Sequence, residues 1–310
     1  MDRLPVIVGV DGSPDSERAM HWAAEAARLR SAPLQVVHVW PYVTSARAAE
    51  AEAGTGDPVL EELRTKLPEG AELPEVEFRS LSGLTDVILP GLGDQAQLLV
   101  LGSRGRGGFA SLLLGSNGMA CAAHATCPVV VVPRPDRGGA RQETAEGQEP
   151  GAAHGRIVLG VDPTAEDAGE SEAIGFAFQE AARRGAVLQV VAAYMWPMAV
   201  PAAFDYVVAY DTTQREYEGA LVRQVTEVLT RYRERYPDVA VEAELRPADA
   251  AGQLVEESAR SDLVVVGRHR RRLPIGRRLG AVAHAVLLHA LCPVAVVPEA
   301  VREEPEKTAD

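Results

Sequence analysis

Leu98-Leu99-Val100-Leu101-Gly102-Ser103-Arg104-Gly105-Arg106-Gly107-Gly108, with Gly115-Ser116-Asn117 close behind, is the stretch on which the fold turns. Four apolar residues without polar alternation read as a strand buried on both faces, as in a parallel sheet covered by helices. The strand runs straight into a glycine-rich loop, and Gly115-Ser116 opens a helix expected over Ser116 to Ala125, ended before Pro128. Strand, loop and helix in that order make one unit of a doubly wound sheet, where ligands sit beyond the carboxyl ends of the strands.

The pattern extends outward. Continuous apolar runs at 6–10, 34–39 and 129–132 alternate with Ala-rich segments. Ser13-Pro14-Asp15 after the first run supplies a capping hydroxyl, a proline suited to the first turn and an acid at the positive helix end. Met20, Ala23, Ala24 and Ala27 then keep one apolar helical face. Leu84 to Asp94 is expected to form a short helix, or one broken near Leu89, because it contains Pro90, Gly91 and Gly93. The alternation predicts an α/β protein with mostly parallel, Rossmann-like five-stranded sheets and right-handed crossovers.

The chain repeats itself. Val6-Ile7-Val8-Gly9-Val10-Asp11 returns as Ile157-Val158-Leu159-Gly160-Val161-Asp162, and Leu34-Gln35-Val36-Val37 as Leu188-Gln189-Val190-Val191. Leu98 to Gly102 and Cys127-Pro128-Val129 return as Leu263 to Gly267 and Cys292-Pro293-Val294, both 165 residues later, so the last third of each half aligns without a gap. Two tandem domains are expected at 1–134 and 155–300, with a polar linker at 135–154 and an acidic tail at 301–310.

Composition narrows the class. An apolar fraction of 46% and a charged fraction of 24% belong to ordinary globular chains, and 310 residues suffice for two cores. No apolar run reaches membrane-spanning length, so no membrane association is expected, and the short apolar run near Met1 reads as the start of the mature chain rather than a signal peptide. A net charge of −13 argues against nucleic acid as a partner. Cys121, Cys127 and Cys292 are few and lack C-x-x-C spacing, which points to a reduced, cytoplasmic setting. His124 and Cys127 lack the further ligands of a zinc site, so no metal centre is expected, and Cys121 reads as helix packing.

The chemistry sits around the glycine loop. Gly102 and Gly105 are expected to let the backbone approach a ligand and to adopt positive φ. Gly115-Ser116 places helix-end amides and a hydroxyl where phosphate oxygens are well held, and Arg104 and Arg106 supply positive charge.

Gly102, Gly105, Gly115 and Ser116 reproduce the Gly, two residues, Gly, nine residues, Gly, Ser/Thr spacing of the universal stress protein family, which the chain resembles over nearly all of both halves. Val8-Gly9-Val10-Asp11-Gly12-Ser13, His38-Val39 and Cys127-Pro128-Val129-Val130-Val131-Val132 resemble it too. The resemblance implies an adenine nucleotide α-hydrolase-like fold and ATP, with or without Mg, as ligand. It places Asp11 at the adenine and ribose side and Val39 along the adenine pocket, and counts Gly9, Arg104 and Arg106 among the nucleotide-binding residues. Gly102 and Gly105 would lie against ribose and phosphates, with Gly115, Ser116 and Asn117 on the phosphate tail. Asn117-Gly118 departs from the usual apolar-Ser pair. The family pairs the strand equivalent to Val129–Val132 across a dimer, so the two halves are expected to form an intrachain pseudo-dimer, with a homodimer of whole chains as a further option.

The second half departs from the signature, with Arg270 at the place of Gly105, Gly280-Ala281 at that of Gly115-Ser116, and Ala193 at that of Val39. An arginine side chain where glycine admits phosphate, and a lost hydroxyl, predict weakened or absent ATP binding there. Arg268, Arg270, Arg271, Arg272, Arg277 and Arg278 instead form a basic run, read either as an anion site or as a solvated loop. His284 and His289 read as core-edge histidines, Trp40 and Trp196 as packing, and Pro41–Pro58 and Pro197–Asp211 as insertions over the cleft.

The function expected is a nucleotide-dependent stress regulator with a protein partner of unspecified identity. Slow ATPase or nucleotidyl-transfer chemistry is the first alternative and a non-catalytic interaction module the second. No G-x-x-x-x-G-K-[ST] loop and no evident general base are present, so no catalytic residue is assigned.

Overall fold

The computed structural model describes residues 3–40, 56–67, 75–105, 114–135, 154–164, 171–195, 206–268 and 279–299. Arg106, Gly107 and Gly108, the arginines from 270 to 278, most of the two insertions, nearly all of the linker and the acidic tail lie outside them.

In the first half the order is β1 (Val6–Val10), α1 (Pro14–Arg30), β2 (Leu34–Trp40), α2 (Pro58–Arg64), β3 (Val76–Ser82), α3 (Thr85–Gly91), β4 (Leu98–Gly102), α4 (Ser116–His124) and β5 (Val129–Val132). The second half repeats it with β6 (Arg156–Val161), α5 (Glu172–Arg184), β7 (Val187–Ala193), α6 (Tyr206–Arg235), β8 (Val241–Arg246), α7 (Ala250–Glu257), β9 (Leu263–Arg268), α8 (Ala281–His289) and β10 (Val294–Pro298).

Local chemistry sets these boundaries. The Ser13 hydroxyl accepts from the Ser16 amide at the start of α1, Pro14 occupies the first turn, and Ser31 closes the helix in the left-handed region at φ 49°. In the second half the same closing place falls to Gly185 at φ 60°. Met20, Ala23, Ala24 and Ala27 are all buried, as the pattern predicts. The helix from Thr85 is short, as expected, at seven residues, and does not break at Leu89. It carries Pro90 inside its last turns, reaches Gly91 and tightens into a 3-10 turn over Leu92–Gln95. A proline there removes one amide near the helix end, where few carbonyls are left to miss it.

Within each half all strand pairs are parallel, in the orders β3-β2-β1-β4-β5 and β8-β7-β6-β9-β10. The halves do not form separate sheets. β5 and β10 pair antiparallel, with Val131 opposite Val294, Val130 opposite Ala295 and Val129 opposite Val296, so one ten-stranded sheet runs through the molecule. A bare all-valine edge would invite association, and this pairing covers it. One core lies on each face of the sheet and continues through both halves.

Side chains reinforce the junction. Arg30 of α1 meets the fully buried Glu180 of α5 at 2.6 Å, and Arg183 and Arg184 approach the same carboxylate at 2.7 and 3.5 Å. The Arg184 guanidinium also lies over the Trp22 ring, 5.2 Å from its centroid. Arg268, expected in the basic run, is 3% exposed and donates to the Ala122 carbonyl of α4 at 3.1 Å. It therefore belongs to the junction and not to a solvated loop. Among the described residues no helix is long and apolar enough to cross a membrane.

Candidate functional site

The parallel order brings the carboxyl ends of β1, β2 and β4 to one edge of the first half, beside the start of α4. Asp11 follows β1, and its Oδ1 accepts from the Ser13 amide at 3.0 Å. That tight turn passes through Gly12 at φ 74°, a conformation suited to glycine. A Cβ built on Gly105 would lie 2.5 Å from Asp11 Oδ2, so the Asp11 carboxylate rests against the bare backbone of the loop after β4. The Ser13 hydroxyl donates to the Arg104 carbonyl at 3.5 Å, tying the same loop to the first one. Val39 is buried on the sheet face that carries Leu99 and Leu101.

The glycines of the signature have different physical causes. Neither Gly102 nor Gly105 has a positive φ, contrary to the expectation from sequence. Gly102 is needed for packing, since a Cβ there would sit 2.7 Å from the Asp15 carbonyl carbon and oxygen. Gly9 is likewise covered, with Leu101 Cδ2 2.6 Å and Leu89 Cδ1 3.1 Å from its would-be Cβ. Gly115 stands apart. It has ordinary backbone angles, and the nearest described atoms to a Cβ there are the Ser103 carbonyl oxygen at 3.7 Å and Arg104 Cα at 3.8 Å, ordinary contact distances. Among the described residues nothing in the fold demands a glycine at 115.

Gly115 caps α4, and its own amide is committed to the Ser103 carbonyl at 2.8 Å. Ser116 and Asn117 follow, both exposed, in the first turn where helical amides lack partners within the helix. The site therefore combines an acid, a buried valine wall, half-buried Arg104 and a helix end carrying a hydroxyl. Arg106 lies outside the described residues.

Two features behind the site go beyond the sequence reading, which took Asp15 only as an acid at a helix start and did not single out Asp57. Asp15 is 1% exposed, pairs with Arg18 and Arg134 at 2.7 and 3.0 Å, and accepts from the Ser103 hydroxyl at 3.1 Å. It thus fixes the ends of β4 and β5 to the start of α1. In the second half the place of Arg134 is taken by Glu299, which accepts from the Ser171 hydroxyl and the Glu172 amide at 2.6 and 2.9 Å and so brings a carboxylate to the α5 start from the opposite side.

Asp57 is the other. Its Oδ2 meets His38 Nδ1 at 2.7 Å, the Trp40 indole at 2.9 Å and the Ser80 hydroxyl at 2.8 Å, while Oδ1 accepts from the Val59 and Leu60 amides at the start of α2. Burial opposes its charged form, but the bonds from His38 and Ser80, the His38 charge and the Leu60 amide outweigh burial and hold its carboxyl below the usual range. Serine bonds here to the acid and not to the imidazole, so this is no nucleophilic triad. Asp57-Pro58 ahead of Val59 and Leu60 was the signal available in the sequence.

In the second half the equivalent strand ends line a half-open cavity of about 920 Å³, bordered among others by Gly160, Asp162, Val191, Leu254, Gly267 and Ala281. The three cysteines are buried and unpaired with one another, and burial pushes the Cys127 and Cys292 thiols up to about 12, which leaves them protonated. No group of three or more potential metal ligands occurs among the described residues.

The model of the Universal stress protein family matches residues 3–133 and again 154–298. A universal stress protein of Mycobacterium tuberculosis is 31% identical over 317 residues, covering 94% of each chain. A second from the same organism is 32% identical over 310 residues, covering 94% of this chain and 96% of its own. A crystal structure of a universal stress protein from Archaeoglobus fulgidus superposes with a TM-score of 0.61 at 14% identity, covering 95% of this chain and 98% of that one, and speaks for the fold alone.

Proposed function

The chain belongs to the universal stress protein family in its tandem two-domain form, and on that premise we propose that its first half binds ATP as a nucleotide-dependent regulator of the stress response. The observation that carries this reading is Gly115: a glycine the described protein does not need, at the start of a nine-residue helix whose first exposed residues are Ser116 and Asn117. A bare cap of this kind admits a phosphate group to the helix-end amides, and the helix dipole favours its charge.

The other residues divide the work by place. Asp11 bounds the adenine and ribose side, held in one orientation by the Ser13 amide and by its contact with Gly105. Val39 forms the apolar wall. Ser116 and Asn117 offer amides and side-chain donors to the phosphates, with Arg104 beside them. Gly9 and Gly102 shape the strand ends from behind, through Leu101 and Asp15 respectively. Mg, if carried, would enter on the phosphates.

Protein purified without added nucleotide, then denatured, is expected to release an adenine nucleotide in near-equimolar amount by mass spectrometry. Release of none, with no uptake of ATP on reconstitution, would overturn the reading. Subsequent incubation with Mg-ATP, assayed for ADP, separates a regulator from a slow ATPase.

A further inference from the structure

One buried serine holds the start of α4 from behind. Ser103 commits all three of its polar groups. Its amide donates to the Val132 carbonyl at the end of β5 at 2.9 Å, its hydroxyl donates to Asp15 Oδ2 at 3.1 Å, and its carbonyl accepts from the Gly115 amide at 2.8 Å. The last bond sets the direction in which α4 begins. The amides of the next turn have no partner within the helix, so their aim depends on how firmly Ser103 is held.

Asp15 supplies that hold, and it does so as a buried carboxylate beside Gly102. Left uncompensated, such a charge is costly and would repel an approaching phosphate. Two arginines compensate it. Arg18 approaches at 2.7 Å from the same helix, while Arg134 Nε lies 3.0 and 3.1 Å from the two carboxylate oxygens. Arg134 follows directly on the end of β5 and Pro133, so of the two only Arg134 ties the carboxylate to the sheet.

The second half keeps the frame without this arrangement. At the same offset of 165 residues, Arg268 stands at the place of Ser103 and Glu299 at that of Arg134. Ala173 is the α5 residue beside Gly267, as Asp15 is the α1 residue beside Gly102. Arg268 turns to the Ala122 carbonyl of the other half, and Glu299 accepts at the start of α5. Serine, acid and arginine are thus replaced together, yet the strand order of the two halves is the same. The sheet does not require the three. They accompany the half that carries Gly105 and Ser116.

Resting on the reading of the first half as an ATP site, we propose that Asp15 and Arg134 are positioning residues for the phosphate tail, acting through Ser103 on the start of α4. Arg134 both neutralises Asp15 and keeps its carboxylate at the Ser103 hydroxyl.

The test titrates ATP and, separately, adenosine into the nucleotide-free full chain by calorimetry, well below the melting temperature of each variant. Arg134→Gln changes a partly exposed side chain and leaves the fold intact; Asp15→Asn is the second variant. The expected result is ATP binding weakened at least fivefold in both, with adenosine, which carries no phosphate, bound as by the parent. Arg134→Lys keeps the charge and is expected to stay within twofold of the parent for ATP. A role in folding alone would weaken both ligands together. If the parent takes up ATP and neither Arg134→Gln nor Asp15→Asn weakens it, the positioning role is overturned and the ATP site stands. A loss shared equally by adenosine, or Arg134→Lys falling as far as Arg134→Gln, has the same consequence. A parent that takes up no ATP overturns both.

Discussion

Glycine is one residue with three meanings in this site. At 102 it admits the Asp15 backbone, at 105 it admits the Asp11 carboxylate, and at 115 it admits nothing the described protein contains. Sequence spacing made all three legible as a set but assigned Gly102 and Gly105 one shared cause, close approach to a ligand with positive φ, and left Gly115 to the helix-end amides. Only atomic neighbours separate packing from binding. The distinction has a measurable consequence. Gly102→Ala places a methyl group against main chain at 2.7 Å and is expected to destabilise the fold by about 1–3 kcal/mol in denaturant unfolding. An unchanged midpoint would show that the α1 start yields more easily than the packing implies.

At the level of elements, pattern reading succeeded where periodicity and caps coincide. The apolar face of α1, the Ser13 cap and the strands at 6–10, 98–101 and 129–132 stand as read, because buried parallel strands carry continuous apolar runs. It fell short where a residue's role depends on distant partners. Asp57 looked like the end of an insertion, yet it holds α2, β2 and β3 together through His38, Trp40 and Ser80.

Because its folded carboxyl titrates below the ordinary range, Asp57 contributes stability above its unfolded pKa and loses it as pH falls through the folded value. Asp57→Asn keeps a capping side chain but loses the charge. It is expected to cost about 1–3 kcal/mol at neutral pH, and the gap between variant and parent should close as pH drops below about 4. Chemical unfolding measured at stepwise pH checks this; a gap independent of pH would rule out the carboxylate charge as its source.

For the whole molecule, the duplication was readable from its repeats, but the arrangement of the two halves was not. Their merging into one ten-stranded sheet was implied only through the family's dimer strand, and the structure makes it an antiparallel, hydrogen-bonded pairing of β5 and β10 within one chain. The buried Arg30–Glu180 pair and the Arg268 bond to Ala122 were hidden, since a charge run in sequence looks solvated until a partner 146 positions away accepts from it. That bond joins α4, whose first turn belongs to the candidate nucleotide site, to the strand end beside Gly267, which lines the second cavity. The two sites thus share a physical frame.

The central claim is that a nucleotide's phosphates lie against the bare start of α4. Its most direct test is calorimetric titration of ATP into nucleotide-free parent protein and Gly115→Glu. The account predicts saturable binding in the parent, and in the variant a loss of at least tenfold with an unaltered circular dichroism spectrum and melting temperature, because the new carboxylate has room to stand yet repels phosphate. Equal ATP affinity in the two folded proteins would contradict it.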